Sequence, residues 1–382
     1  MIPYGRQSIS AEDIQAVVDV LHSDWLTQGP VVIDFERAMA KQCGVAHTLA
    51  VSNGTAALHL ACLAIGFGPG DILWTSPNTF VASANCAIYC GGTVDFVDID
   101  PRTYNLSVDA LEQKLKIAEH EGRLPKVLVP VHFAGQSCDM ARIHLLSRKY
   151  GFYVIEDACH ALGGRYQDTT VGCCRYSDLT VFSFHAVKGI TTGEGGMVTT
   201  NDEQLHRRLT LLRSHGITKD PDCLSDPNKG GWCYEQVELG YNYRMTDIQA
   251  ALGLSQLKRI DKFVARRQQL AARYDEALCD SPLQLPLRNP DSDSACHLYP
   301  VKFDAGSEIR RQVYDRLNEA GIHTQVHYIP LHTQPFYRKR NFQIGDFPVA
   351  EDYYQGALSL PLYYGLSDAD QDFVIKILLS SI

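Results

Sequence analysis

A lysine, an aspartate, a histidine and one short polar helix start have the types and spacing in this chain to do chemistry together. Lys188 lies in "TVFSFHAVKGITTGEGGMVTT", residues 180–200, which reads as strand, polar turn, strand. An amine forms a Schiff base with a carbonyl only when partly deprotonated. A desolvated turn between buried strands lowers a lysine's pKa and so favours that state. The carbonyl cofactor best matched to a lysine imine is pyridoxal 5′-phosphate (PLP), whose pyridine nitrogen needs a carboxylate partner to stay protonated. "YVIEDACHALG" supplies one: Asp157 follows an apolar run directly and so sits at the carboxyl end of a strand, where open α/β sheets bind ligands. His160, three residues on, is placed to approach the cofactor ring. "SNGTAALHLA" supplies a phosphate cradle: a strand ends, Gly54 permits close backbone approach, and Thr55 opens a helix whose free N–H groups and dipole favour an anion. Ser183, five residues before the lysine, adds a hydroxyl, and "TTGEGG" turns the chain where side chains would crowd it.

Each feature has a plainer reading when taken alone. A lysine between strands commonly snorkels to the surface, a strand-end aspartate caps a helix or joins a buried ion pair, "SNGT" is a frequent helix start, and a lone histidine is commonly structural. The order of the pieces along the chain is what joins them.

The elements that must position these residues are legible as alternating patterns. Residues 47–52, 71–77, 93–100, 126–133, 151–158, 178–184 and 196–200 read as strands, several of them apolar on both faces. Amphipathic helical patterns cover 54–66, 107–119 and 140–151. Such alternation predicts an α/β fold with a mostly parallel central sheet. After about residue 245 the pattern changes. Residues 246–278 read as one long helix opened by a Thr/Asp cap, which connects a large domain (1–245) to a smaller α+β domain within 246–382. Residues 218–235, rich in Pro, Gly, Asp and Asn, read as a long loop of the kind that carries function.

Composition excludes several classes. Thirty-five basic against 44 acidic side chains give a net charge of −9, with no basic run longer than "RKR", which argues against a nucleic-acid binder. No apolar stretch approaches the roughly 20 residues of a membrane span, and the start lacks a signal-peptide pattern, so a cytoplasmic protein is expected. The 12 cysteines are scattered without a CxxC pair, so buried thiols are expected and no metal site is.

Taken with "TFVASANCAIYCGGTVDFVDID", "VIEDACHALGG", "FSFHAVKGITTGEGGMVTTND" and "LGYNYRMTDIQAALGLSQLKRID", the chain resembles the DegT/DnrJ/EryC1/StrS family of sugar aminotransferases from "WLTQGP" to "QVHYIPLH". The resemblance implies a PLP fold type I enzyme acting as a homodimer with active sites between subunits. Lys188 would hold the cofactor as a Schiff base and shuttle protons, and Asp157 would pair with the pyridine nitrogen. His160 would lie by the ring, where many relatives carry glutamine. Gly54, Thr55 and Ser183 would bind the phosphate with Asn242 of the partner subunit, and Phe80 would stack on the ring. Tyr4, the stretch Trp25, Leu26 and Thr27, and the stretch His327, Tyr328, Ile329 and Pro330 would bind the nucleotide-sugar. The first of these could equally anchor a terminus, and the last could be a proline-ended strand. The implied reaction is transamination of a UDP-linked 4-keto-6-deoxy-N-acetylhexosamine with L-glutamate as donor. Relatives that deoxygenate sugars carry histidine at the lysine position, so Lys188 favours amino transfer over dehydration. A related enzyme acting on another UDP- or dTDP-linked ketosugar, or a non-catalytic scaffold that kept the fold, are the remaining readings.

Overall fold

The computed structural model describes residues 1–226, 230–304 and 306–382. Residues 227–229, in the middle of the expected 218–235 loop, lie outside the described residues. Seven strands form the main sheet: β1 (His47–Val51), β2 (Ile72–Thr75), β3 (Thr93–Phe96), β4 (Val127–Val129), β5 (Tyr153–Asp157), β6 (Leu179–Ser183) and β7 (Gly196–Thr200). Every one falls within a segment read as a strand from its apolar pattern. Their order across the sheet is β1-β7-β6-β5-β4-β2-β3. Strands β3, β2, β4, β5 and β6 run parallel, and β7 runs antiparallel to both neighbours. The antiparallel step follows from the short Lys188 turn, which has no room for the crossover helix that parallel strands require.

The helices flanking the sheet are α1 (Ala11–Leu21), α2 (Pro30–Cys43), α3 (Gly54–Ala64), α4 (Ala82–Tyr89), α5 (Val108–Glu121), α6 (Met140–Tyr150) and α7 (Glu203–Arg213). They cover both faces, which is why the strands are apolar on both. One face packs Leu49, Val51, Ile155 and Val181 against α3, α4 and α7. On the other face, Leu128 and Val154 meet α5 and α6, while Ala50, Phe182 and Met197 meet α2 and the segment after residue 246. Two-residue alternation therefore divides β5. Ile155 and Asp157 share the α3 side, and Val154 and Glu156 share the other.

The helical stretch 246–278 is two helices rather than the single one expected: α8 (Asp247–Leu257) and α9 (Ile260–Leu278). The break at Lys258–Arg259 has a physical cause in Asp13. This fully buried carboxylate of α1 accepts Ser255 Oγ and Gln256 Nε2, both at 2.7 Å, and Ser10 N at 2.9 Å. It also pairs with Arg259, whose backbone leaves the helical range at φ −114°. At the other end of α8, Asp247 is also fully buried. It accepts the N–H groups of Gly29 at 2.8 Å and Val31 at 2.9 Å, capping α2 from outside.

Beyond α9, strands β8 (Leu283–Gln284), β9 (Tyr299–Phe303) and β10 (Ala357–Leu360) form an antiparallel sheet. Its core includes Leu270 and Tyr274 of α9, Val313 and Leu317 of α10 (Ser307–Glu319), and Ile2 from the start of the chain. The segment read as a long loop is bounded by a short antiparallel pairing of Ile217–Thr218 with Glu235–Gln236.

Burial pushes the Asp13 carboxyl pKa up, but its backbone, Ser255, Gln256 and Arg259 partners outweigh burial and hold it below the usual 3.8. A depressed folded-state pKa contributes stability that is complete above the ordinary value and lost as pH falls through the lowered one. Replacing Asp13 by Ala breaks a buried pair, a change that costs about 3–5 kcal/mol. The denaturant midpoint of the variant is therefore expected to fall well below the parent's at pH 7. The gap should narrow under acid conditions below pH 4. A gap unchanged by acid would assign the loss to packing alone.

Candidate active site

The site is built where three chain segments meet at the carboxyl ends of the central strands. Strand β5 ends on Asp157, which is 6% exposed. Its Oδ2 accepts Ser83 Oγ at 2.6 Å, and its Oδ1 accepts the Cys159 N–H at 3.2 Å. Ser83 lies in the first turn of α4, one helical turn after Thr79, whose hydroxyl is 2.8 Å from it. Among the described residues no ion pair includes Asp157, so a buried carboxylate faces the cleft without a cation of its own. On the opposite face of β5, Glu156 accepts the Thr180 hydroxyl at 3.1 Å and lies 2.7 Å from His132 Nε2. Cys138 N–H donates to His132 Nδ1 at 3.2 Å, which leaves the ring's proton on Nε2, facing Glu156.

Lys188 sits in the turn between β6 and β7, its N–H donating to His185 O at 2.9 Å. Phe184 O accepts Thr192 N at 2.9 Å, and Phe184 N donates to Gly195 O at 2.8 Å, closing the turn. Lys188 is half-buried. Burial pulls its ammonium below the usual 10.5, with Cys159 and Asp157 opposing the shift. An amine in that setting releases its proton more readily than a surface lysine, which is what nucleophilic attack on a carbonyl requires.

The helix start expected to cradle phosphate lies beside these groups. Asn53 caps α3 by accepting the Ala56 N–H at 2.8 Å, which leaves the first-turn donors of Gly54 and Thr55 for an outside acceptor. A Cβ on Gly54 would stand 3.0 Å from Ser183 Cβ and 3.5 Å from Cys159 Sγ. Glycine is what lets the helix start, the Ser183 hydroxyl and the Asp157 loop close on one point. Gly196, which opens β7, is crowded in the same way: a Cβ there would lie 2.5 Å from Asn53 O.

A third group closes the cleft from the C-terminal part of the chain. Tyr328 Oη is 3.2 Å from His160 Nε2, and the Tyr328 N–H donates to Asn78 Oδ1 at 3.0 Å. The His327 ring lies 5.6 Å from that of Tyr4, tilted by 55°, and its Nδ1 is 2.9 Å from Ser359 Oγ. The segment holding His327, Tyr328, Ile329 and Pro330 is not a strand. It is docked on the loop before Phe80, with Leu331 N donating to Pro77 O at 2.9 Å. His160 lies well below the usual histidine pKa because of burial, Lys188 and His327, and is therefore neutral at pH 7.

The fold thus brings Lys188, Asp157, His160, Gly54, Thr55, Ser183, Tyr4, His327 and Tyr328 to one cleft. Among the described residues, Trp25, Leu26 and Thr27 make no hydrogen bond with any of these. That stretch is exposed and is held on α8, with Asp247 N donating to Leu26 O at 3.0 Å and Thr27 bridging Thr246. Phe80 is 58% exposed at the start of α4. Asn242 is exposed next to Tyr243, whose carbonyl accepts Ser52 N–H at 2.8 Å beside the phosphate cradle. Sequence reasoning missed Ser83 and Cys159 as partners of Asp157. The pair of hydroxyls at Thr79 and Ser83, four residues apart at the entry to α4, was the one available signal.

The donor set fits PLP: a buried carboxylate that no ion pair among the described residues includes, an amine of lowered pKa, and free N–H groups with a hydroxyl at a helix start. Capture of added cofactor by the protein is expected to speed up as pH rises and to level off below pH 10.5, because Lys188 deprotonates early. Stopped-flow absorbance across pH 6–11 measures this, and a limb still rising at pH 10.5 would contradict the lowered value.

Comparison with known proteins gives one family. The profile of the DegT/DnrJ/EryC1/StrS aminotransferase family matches residues 7–379. The chain is 42% identical over 380 residues to the spore coat polysaccharide biosynthesis protein SpsC of Bacillus subtilis, covering 98% of this chain and 95% of that protein. It is 37% identical over 385 residues to UDP-4-amino-4,6-dideoxy-N-acetyl-beta-L-altrosamine transaminase of Campylobacter jejuni, covering 100% and 97%. Among solved structures, Helicobacter pylori PseC, an aminotransferase involved in the biosynthesis of pseudoaminic acid, superposes with a TM-score of 0.90 at 33% identity, covering 100% of this chain and 98% of that one.

Proposed function

The chain belongs to the DegT/DnrJ/EryC1/StrS family and is a PLP-dependent sugar aminotransferase, and from that premise we propose that it aminates C4 of a UDP-linked 4-keto-6-deoxy-N-acetylhexosamine, using L-glutamate, to give the 4-amino-altrosamine of pseudaminic acid biosynthesis. The observation that carries this reading is that Lys188, its pKa lowered by burial, shares one cleft with the buried carboxylate of Asp157, which no ion pair among the described residues includes.

In this reading Lys188 is the attachment point, and Asp157 keeps a proton on the pyridine nitrogen. The Gly54 and Thr55 N–H groups and the Ser183 hydroxyl would hold the phosphate, and Phe80 would pack against the ring. PLP, when bound, supplies a carbonyl for the amino group and a ring that draws electron density from the carbon being deprotonated. Lys188 Nζ removes the proton from the donor's α-carbon and, in the second half of the cycle, delivers one to C4 of the sugar. Neutral His160 packs by the ring and adds no competing charge beside Lys188. Tyr4, His327 and Tyr328 line the side of the cleft where the sugar enters.

A homodimer completes the proposal. Asn242, Trp25 and Leu26 are exposed on the single chain, as residues that act across a two-fold interface would be. A second reading, a ketosugar carried on another nucleotide, is supported by the 38% identity over 366 residues to GDP-perosamine synthase of Caulobacter vibrioides.

Lys188→Ala is expected to lower multiple-turnover amination by about 10³-fold or more, in line with the loss of a general acid–base together with the attachment point. Activity within tenfold of the parent would remove Lys188 from the chemistry. UDP-linked 4-ketosugar is expected to exceed the dTDP- and GDP-linked forms at least tenfold in kcat/KM. The reverse order would select the second reading.

A further inference from the structure

Behind the cleft is a cavity of about 10 Å³, room for one water-sized occupant. Its walls include the apolar Leu162, Phe263 and Val264, and three polar side chains: His160, His297 and Arg267. All three are at least nine-tenths buried, with exposures of 8%, 6% and 5%. Each carries one buried nitrogen without a hydrogen-bond partner among the described residues: Nδ1 of His160, Nδ1 of His297 and Nε of Arg267. The rings of His160 and His297 lie 4.5 Å apart, tilted by 38°. Arg267 is fixed by Nη1, which donates to Leu362 O at 2.7 Å and His297 O at 3.2 Å, and no ion pair among the described residues includes it. An unpaired buried polar atom is costly to leave unmatched. Three of them around one water-sized space are the setting in which internal waters are found.

We propose that a single internal water occupies this cavity, accepting from Arg267 Nε–H and donating to Nδ1 of both His160 and His297. Arginine has donors only, so the water must be the acceptor there. Water has two hydrogens and two lone pairs, so the directions at the rings belong to the proposal itself: both hydrogens go to ring nitrogens, each of which offers a lone pair. Burial and neighbouring Lys188 hold His160 well below the usual histidine pKa. Burial, His160 and then Lys188 do the same for His297, so both rings are neutral. Each therefore carries its proton on Nε2.

For His160 that proton donates to Tyr328 Oη across 3.2 Å. Because the Tyr328 oxygen is then an acceptor from His160, its own O–H is free to point into the cleft. Arg267, which touches neither the lysine nor the carboxylate, is thereby a positioning residue: through one water it sets His160, and through His160 it makes Tyr328 a donor toward the reacting groups. The part of this that concerns chemistry rests on the cleft being the cofactor site. The water and the tautomer do not.

The test is neutron diffraction from deuterium-exchanged crystals of the PLP-loaded enzyme, backed by ¹⁵N spectra of labelled histidine. A water in the cavity with Nε2 protonated and Nδ1 bare on both rings is the expected result. A proton on Nδ1 of either ring, or a cavity without a water, would overturn it. Arg267→Met keeps the stem and removes the donor. In it the water and the single-tautomer signal of His160 should both be lost, whereas a structural role alone would leave the His160 signal unchanged. Failure of Lys188→Ala to impair turnover would overturn the cofactor site and leave the tautomer assignment standing. A wrong tautomer would do the converse.

Discussion

A buried carboxylate without a cation is an expensive thing for a fold to keep, and much of this one is arranged around the carboxylate of Asp157. The parallel register of β4, β5 and β6 sets the residue at the end of the central strand. Helix α4 then turns Ser83 onto it at 2.6 Å, and the chain immediately after the strand gives it the Cys159 N–H. These two bonds orient the carboxylate. Moving the same charge one residue earlier, to Glu156, reverses its face, and there a histidine and hydroxyls absorb it. Two adjacent acids on one strand thus have opposite roles because side chains alternate across a sheet.

The lysine's setting follows from the antiparallel turn between β6 and β7. A parallel connection would have carried the chain away over a helix. The short return keeps Lys188 over the strand ends, in reach of the fields of Asp157 and Cys159. Gly196 and Gly54 tighten the same region: neither has room for a Cβ without moving a neighbour, and they bring the helix start against β6 and β7. Close backbone packing, rather than any single strong bond, holds the phosphate cradle beside the amine.

How much of this the sequence discloses depends on the range of the interaction. The seven strands were legible because burial writes a short apolar pattern into each, several of them apolar on both faces. Lys188, Asp157 and the "SNGT" start were legible because each sits at a strand end. The break at Lys258–Arg259 was not legible. Local propensity favours one helix through 246–278, and only the contact with Asp13, more than 240 positions away, explains two. Ser83, His297 and Arg267 were hidden for the same reason. Their partners lie on other elements, and serine, histidine and arginine carry no local signal of what they will meet. The stretch from His327 to Pro330 was assigned to the nucleotide-sugar by resemblance, and only its docking on Asn78 and Pro77 set Tyr328 against His160.

The cleft is also lopsided in a way that bears on assembly. Its deep wall is complete within one chain, from Asp157 through His160 to Tyr328. The residues expected on its rim, Phe80 at the start of α4 and Asn242 beside the cradle, are left exposed, and Trp25 and Leu26 are exposed on α8. Aromatic and aliphatic side chains that sit in water next to a polar cleft lower the free energy once a second surface covers them. The exposed Trp25–Leu26 stretch is itself rigidly held, by the Asp247 N–H bond to Leu26 O and the Asp247 cap on α2, so it is presented ready-formed. A second copy related by a two-fold axis would bring the same four residues to two clefts at once. In the proposed dimer, cofactor binding and subunit contact would then draw on one surface, because the chemistry's inner half belongs to each chain and its outer half to the pair.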